Sequence, residues 1–345
     1  MLSRVQEYGT KHVIPTIKNR LRRLDFSQKS DAFGRVKVTL IAAGILLLAG
    51  SCAWAQVQRA DNASRTAATV QRVDAATATA NEGLSFDSHS EVDTDLGEQL
   101  PVSMVRGGLG AYVVADTGLF YTSNPTLANG GGRGDMYFLA RGGAGVHPNL
   151  VDGLYLDAHV TQEVFQYAQF SSLNFTRFNA GGGLDYVFQD LGQLTVSVRY
   201  EYERYLDGNN LDEFYVNNAV NVLVTKQFLI SDTQSIQVGW QGSWSVYAQP
   251  TSATRNSYDF WVGWRWRIIE PLELQTYYVV TLFHYPDDDN RVDLTQNVGG
   301  SLNYYLTKWA KISASANFGG NASTESFYNY TVVNLGGTLG LDIRF

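Results

Sequence analysis

The sequence predicts an all-β fold: a single closed antiparallel transmembrane β-barrel of about 12 strands. Composition is the first observation, because only 17% of the 345 residues are charged, 13% are aromatic and 33 are glycine. Alternation is the second, because from about residue 107 segments of 11 to 17 residues alternate in polarity between clusters of Gly, Asn, Asp, Pro and Ser. Alternation with period two indicates strands that present an apolar face and a polar face.

The start of the chain predicts an export signal. Residues 1–37 carry nine Lys and Arg, the apolar stretch "VTLIAAGILLLAG" follows, and "SCAWAQ" supplies small residues for cleavage. This apolar stretch is too short for a comfortable membrane span, so we expect a signal peptide over residues 1–55 with cleavage near Ala55. The long basic region leaves the true start codon open. Cys52 is the only cysteine, and its lipidation also stays open, since Ala49 stands where a lipoprotein box usually has Leu.

Charge then restricts the partners of the exported chain. Residues 1–55 hold nine basic and three acidic residues, so their removal changes the formal net charge from −7 to −13. Such an acidic chain argues against binding to nucleic acid.

Residues 56–106 differ in composition from the alternating segments after them. They are rich in Ala, Thr, Asp and Gln, as in "ATVQRVDAATATANEG", and can bury little apolar surface. We interpret them as a flexible periplasmic segment, with a plug inside the barrel as the alternative.

Residues 107–345 divide into strands. In "QLTVSVRYEYERY" (193–205), Leu, Val, Val, Tyr and Tyr occupy one face, while Gln, Thr, Ser, Arg and Glu occupy the other. About 12 such segments occur, with 10 to 14 as the range. They lie near residues 108–121, 135–147, 153–166, 174–188, 193–205, 213–228, 234–247, 257–269, 272–284, 292–306, 309–320 and 329–345.

The connections alternate in length. Those after odd strands are longer, as in "TSNPTLANGGGRG", and those after even strands are short, as in "QDLG" and "EPLE". Short turns on one rim and longer loops on the other are typical of outer-membrane barrels. An even strand number predicts that both termini lie on the periplasmic, short-turn side.

A soluble sandwich is the alternative to a membrane barrel. Against it, the polar face carries too many charged side chains to form a core, and the segments exceed the usual strand length of about 5–6 residues. A bilayer resolves this, because a sheet in lipid must close to pair its backbone groups, with the apolar face toward lipid and the polar face around a wet interior.

The last strand carries a resemblance. In "GGTLGLDIRF", Leu339, Leu341, Ile343 and Phe345 share one face, and the final residue is aromatic. With the export signal and residues 107–345, this resembles bacterial outer-membrane β-barrels of the porin type. The resemblance implies an outer-membrane location among lipid and lipopolysaccharide, and a C-terminal signal read by the barrel-assembly machinery.

The alternate positions on the polar face of each strand are predicted to line the lumen. Opposite charges on this face either pair across neighbouring strands or set up a field that selects solutes, and the pattern allows both. The predicted lumen residues are Arg177, Asp185, Arg199, Glu201, Glu203, Asp259, Trp261, Arg265, Arg267, Asp342 and Arg344.

We therefore predict a passive, narrow, porin-like channel for small hydrophilic solutes. A closed structural or adhesion barrel is the alternative, and an outer-membrane lipase or protease is the third reading. A nucleophile–base pair would need a Ser at alternate positions of the strand, on the same face as His159, and none is present. We therefore expect no catalytic residues. We also expect no metal and no cofactor. The solute and the oligomeric state stay open.

Overall fold

A computed structural model describes residues 56–61, 63–64 and 110–345 of the chain, and its main feature is one 13-stranded antiparallel sheet. Twelve of these strands are long and one, β3, has three residues. The strands are β1 Ala111–Thr122, β2 Asp135–Val146, β3 Asn149–Val151, β4 Leu154–Tyr167, β5 Phe175–Phe188, β6 Leu194–Asp207, β7 Glu213–Ser231, β8 Gln234–Gln249, β9 Asn256–Ile269, β10 Leu272–Tyr285, β11 Arg291–Tyr305, β12 Ala310–Ser323 and β13 Tyr330–Arg344.

The sheet closes on itself. Consecutive long strands pair with each other, β2 pairs with β4 past the short β3, and β1 pairs with β13 from Tyr112 opposite Arg344 to Thr122 opposite Asn334. The predicted closed antiparallel barrel of 12 strands is therefore confirmed. Each of the 12 segments predicted from the sequence begins and ends within three residues of a long strand's bounds.

The short strand β3 was not predicted. Asn149 pairs with Tyr155 and Val151 with Leu154. The strand β3 and the start of β4 therefore form a small hairpin within the connection from β2 to β4. Three residues are too few to display an alternating pattern, which is why this strand has no signature in the sequence.

The two rims differ as the connections predict. On the short-turn rim, two residues join β7 to β8 and two join β9 to β10; on the long-loop rim, residues 123–134 join β1 to β2. Both ends of the barrel sheet lie at the short-turn rim, and the placement of that rim in the periplasm stays a prediction. Single 3-10 turns occur at Ser171–Leu173, Gln189–Leu191, Thr251–Ala253 and Ser326–Tyr328.

The two faces of the wall have opposite character. Phe260 on the outer face of β9 is 56% exposed, whereas its neighbour Asp259 on the inner face is 1% exposed. The same alternation places Val198 and Leu339 outside and Asp185 inside. This is the arrangement expected when the outer face meets lipid and the inner face surrounds a polar interior.

Residues 56–61 and 63–64 are helical, and we call them the lumen helix. Val57, Ala60 and Ala63 of this helix are buried in the hydrophobic cluster that forms inside the barrel. No helix within the described residues has the length and apolarity that a membrane span requires. The predicted signal peptide and the rest of segment 56–106 lie outside the described residues.

Candidate functional site in the barrel interior

Strands β4, β5 and β6 form a charged wall inside the barrel, which consists of Asp157, His159, Glu163, Arg177, Asp185, Arg199, Glu201 and Glu203. Arg177 on β5 donates to Glu163 on β4 at 3.2 Å and also pairs with Glu203 on β6. Arg199 on β6 lies 2.7 Å from Asp185 and 3.8 Å from Asp157. Each guanidinium thus serves two carboxylates, and Glu201 adds a further acid, so acids outnumber arginines on this wall.

His159 links two of these carboxylates. Its Nδ1 lies 2.8 Å from Asp157 Oδ1, and its Nε2 lies 3.3 Å from Glu201 Oε2 and 3.2 Å from Asn179 Oδ1. A neutral imidazole has one donor and one acceptor nitrogen. Because both nitrogens face acceptors, this geometry fits an imidazolium that donates to both sides.

A second histidine lies nearer the short-turn rim. His147 Nε2 is 2.9 Å from Asp185 Oδ2, and ligand atoms of His147, Asp157 and Asp185 lie within 4.8 Å of one another. Three such groups could hold a metal ion. However, the guanidinium of Arg199 already contacts Asp157 and Asp185, so a fixed cation of the chain balances these carboxylates.

Inward glycines give the charged side chains room. A Cβ placed on Gly181 would come within 2.6 Å of Glu201 Oε1, and one on Gly183 would come within 2.8 Å of Arg199 Cγ. The side chain of Glu201 therefore lies across Gly181, whereas at Gly183 the backbone of Val198 and Arg199 approaches more closely than the Arg199 side chain. The sequence "GGG" at 181–183 thus permits close approach within a strand.

The opposite wall, on β9 and β10, holds further predicted residues. Arg265 pairs with Glu273 across these strands. Asp259 and Trp261 are buried on the inner face of β9, and Trp261 packs with Tyr277 and Val279. Trp261 thus lines the interior as its parity predicts, unlike the other tryptophans of β8 and β9.

The remaining predicted residues lie apart from the charged wall. Arg267 is half-buried near the short-turn end of β9. Asp342 and Arg344 pair with each other at 3.3 Å near the end of β13, where each side chain is 48% exposed. The structure therefore brings Arg177, Asp185, Arg199, Glu201 and Glu203 together, and leaves Asp342 and Arg344 at the rim.

An aromatic belt inside the barrel was not predicted from the sequence. Near the long-loop rim, β1, β2, β4, β5, β6 and β7 each contribute at least one buried ring, and neighbouring rings lie close, such as Phe165 and Phe175 at 4.3 Å between centroids. Tyr205 lies on the same face of β6 as Glu201 and Glu203. The sequence signal that could have indicated the belt was therefore an inner face that changes from charged to aromatic residues at one end of the strand. The belt consists of Phe120, Tyr137, Phe165, Phe175, Tyr205 and Tyr215.

The lumen helix packs on this belt and is held by polar contacts. Asp61 forms a bidentate pair with Arg255, with Nη–Oδ distances of 2.6 and 2.9 Å. Ser64 donates to Glu163 at 2.9 Å, and Arg59 donates to the carbonyl oxygen of Thr126 at 2.9 Å. The helix therefore bridges the charged wall and two connections of the long-loop rim.

The ion pair determines the protonation behaviour of Arg255, which lies in a connection outside the strands. Burial by itself would lower the pKa of this guanidinium. The Asp61 carboxylate outweighs burial and holds the pKa of Arg255 well above its usual value. The Arg255 guanidinium is thus charged, and its pair with Asp61 is buried at the long-loop end of the lumen.

The barrel resembles solved outer-membrane barrels in fold. An outer membrane channel from Pseudomonas putida F1 is 13% identical, with a TM-score of 0.49, over 68% of this chain and 96% of that one. The outer membrane channel DcaP of Acinetobacter baumannii is 10% identical, with a TM-score of 0.41, over 68% and 96%. The KdgM porin is 10% identical, with a TM-score of 0.35, over 65% and 97%. No protein-family model and no curated protein matches the sequence.

Proposed function

We propose that this protein is an outer-membrane channel that passes small hydrophilic solutes through a narrow lumen. The observation that supports the proposal is the charged wall of β4–β6. A barrel that serves only as a scaffold has no need of seven charged side chains and a histidine on its inner face, where each charge costs desolvation. Charged inner faces are typical of pores that conduct ions and polar solutes.

The size of the barrel limits the solute. Eight-stranded barrels are filled by side chains, whereas 16 to 18 strands leave an aqueous channel. Twelve strands lie between these cases, and the lumen helix takes up part of the section at the long-loop end. The pathway is therefore narrow, and it is restricted most beside the aromatic belt.

A closed structural or adhesion barrel is the second candidate. The lumen helix and the aromatic belt favour it, because together they form an apolar core inside the long-loop half. In that case the helix is a permanent part of the core, and the charged wall below it serves only internal pairing. The two candidates differ in whether ions cross the protein.

Hydrolysis of lipid or protein is the least supported reading. A general base needs a ring nitrogen within reach of the nucleophile that it activates. Both ring nitrogens of His159 face Asp157, Glu201 and Asn179. This histidine therefore serves the charged wall and is poorly placed to activate a serine.

Ion conductance in a planar bilayer tests the channel. We expect small current steps from the full chain and larger steps from a variant that lacks residues 56–105, because the deletion removes the lumen helix. Refolding of both forms is checked by the shift of the folded barrel in unheated gel electrophoresis. Current at the level of leak from both refolded forms would refute the channel and support the closed barrel.

A further inference from the structure

Four neighbouring inward residues on β6 and β7 form a patch that the charged wall and the aromatic belt share. Glu203 lies directly across from Asn217, and Tyr205 lies directly across from Tyr215. The two phenol rings are 5.4 Å apart between centroids. We call Glu203, Tyr205, Tyr215 and Asn217 the β6–β7 patch.

Three polar atoms of this patch have no hydrogen-bond partner within the described residues. They are the hydroxyl oxygens of Tyr205 and Tyr215 and the Oδ1 of Asn217. Their residues are only 1%, 0% and 5% exposed, respectively. Buried polar atoms without partners are costly in folded proteins, so three adjacent ones on the inner face form a position where water or a donor group of a ligand can supply the partners.

The patch carries an excess of negative charge. Glu203 pairs with Arg177, and the same guanidinium is shared with Glu163. Because one guanidinium neutralises only one of the two carboxylates, one negative charge remains. Arg255, which also lies near the patch, is engaged by Asp61.

The chemistry of the patch therefore selects a cation that donates hydrogen bonds. The Glu203 carboxylate supplies charge, and the Asn217 carbonyl oxygen and the two phenol oxygens accept hydrogen bonds. The ring of Tyr215 adds cation–π attraction for an ammonium group, whereas the ring of Tyr205 already lies 5.8 Å from the guanidinium of Arg177. An anionic solute would meet repulsion from Glu203, and a neutral polyol would leave its charge unused.

We propose that the β6–β7 patch is a binding subsite for the ammonium group of amine-bearing solutes, and that the lumen helix covers this subsite in the structure described. The proposal rests on the channel function proposed above and names its solute class. The helix covers the patch with small side chains, since Val57, Ala60 and Ala63 are its members of the shared apolar cluster. Breaking its pair with Arg255 uncovers the patch.

The test measures block of ion current by an amine in the full chain. Asp61→Asn releases the helix, and spermidine is the probe, with sorbitol and glutamate as the neutral and anionic comparisons. In the Asp61→Asn barrel we expect spermidine to block current at concentrations at least about tenfold below those of either comparison, a difference of about 1.4 kcal/mol. In the wild-type chain the block is weaker because the patch is covered.

Variants in the patch locate the subsite. In the Asp61→Asn background, Glu203→Gln should raise the half-blocking concentration of spermidine about tenfold or more. Tyr215→Phe keeps the ring and removes the hydroxyl, so it should raise that concentration by a smaller factor. Glu213→Gln is the matched control, because Glu213 pairs with Arg204 on the exposed side of the same two strands.

The outcomes separate this inference from the channel proposal. Spermidine block that Glu203→Gln and Tyr215→Phe leave unchanged would overturn the subsite while the channel stands, as would equal block by glutamate. An absence of current steps from both the wild-type and the Asp61→Asn chains would refute the channel, and the subsite with it. Refolded fractions of every variant are compared by gel mobility so that lost block is not confused with lost barrel.

Discussion

At the level of single residues, the packing of the inner wall depends on the positions of its glycines. Gly181 and Gly183 face inward on β5. The side chain of Glu201 crosses the space that a Cβ on Gly181 would fill, and the backbone carbonyl oxygen of Val198 takes up that space at Gly183. Gly182, between them, faces the other way, and an added Cβ there would find its nearest atom, Asp157 O, at 3.3 Å. The three glycines of one strand therefore have different roles.

A methyl group at Gly181 should destabilise the barrel and displace Glu201. The added Cβ meets the carboxylate at 2.6 Å from Oε1, and the displaced side chain loses its contacts with His159 and Asn179. We expect Gly181→Ala to cost about 1–3 kcal/mol in the free energy of unfolding, as overpacking usually does. Urea unfolding of the barrel in detergent micelles measures it.

Gly182→Ala is the matched control in the same strand. Its methyl group points toward lipid, and it reduces the freedom of the unfolded chain, so we expect a change within about 1 kcal/mol of zero. Equal losses for the two variants would contradict the assigned role of Gly181. Which of the three glycines faces Glu201 depends on the register of β5 against β6, which the local sequence "GGG" does not encode.

At the level of elements, the lumen helix is held more by its polar contacts than by its apolar side chains. Val57, Ala60 and Ala63 are small, so their burial contributes little compared with a helix of Leu and Phe. Both side chains of the Asp61–Arg255 pair are buried. Removing one partner of a buried ion pair leaves an uncompensated charge and typically costs about 3–5 kcal/mol.

Asp61→Asn should therefore release the helix. Cys52 is the only cysteine and is predicted to leave with the signal peptide, so Ala60→Cys adds a single thiol at a buried position. We expect a membrane-impermeant maleimide to label this thiol slowly in the otherwise wild-type chain. In the Asp61→Asn chain, labelling should be faster by about 100-fold, the factor that corresponds to roughly 3 kcal/mol.

Phe327→Cys provides the labelling control. Phe327 is 70% exposed in the connection between β12 and β13, so a thiol there should react at the same rate with and without Asp61→Asn. Equal labelling rates of the Ala60→Cys thiol in the two backgrounds would show that the pair with Arg255 does not hold the helix.

The strands were more predictable than the helix. Twelve segments alternate over many residues because one face of each strand meets lipid and the other faces the polar interior. This contrast in polarity can be recognised within a single strand such as β6. The position of the lumen helix depends on contacts with residues up to 235 positions away, such as Gln58 with Asp293. No local pattern encodes such contacts, so the plug and the flexible segment could not be separated from sequence alone.

At the level of the whole molecule, the barrel depends on a single seam between its first and last strands. The backbone N–H of Phe345 donates to the carbonyl oxygen of Ala111 at 2.8 Å, and the pairing continues to Thr122 and Asn334. Since an unpaired sheet edge is not tolerated in lipid, the last residues are needed for closure. The sequence predicted this closure, but not the division of the interior into a charged wall and an aromatic belt.

Deletion of Phe345 should impair assembly. It removes one seam hydrogen bond and the terminal aromatic ring, which points outward with Leu339 and Ile343 and which we expect the assembly machinery to read. We expect a several-fold lower level of folded barrel in the outer membrane, measured by heat-modifiable gel mobility of membrane fractions. Phe345→Tyr keeps an aromatic terminus and should assemble normally; normal levels after the deletion would refute the role of Phe345.

The location of the lumen helix has a consequence for the order of events in folding. The helix precedes β1 in the chain, yet it contacts residues from β4 to β11 that are made long after it. A sheet that curls shut at its final strand must either enclose this helix as it forms or admit it later through the mouth of the finished cylinder. In the first case the belt residues pack around the helix as the strands form, and the lumen helix sets the width of the interior beside the aromatic belt.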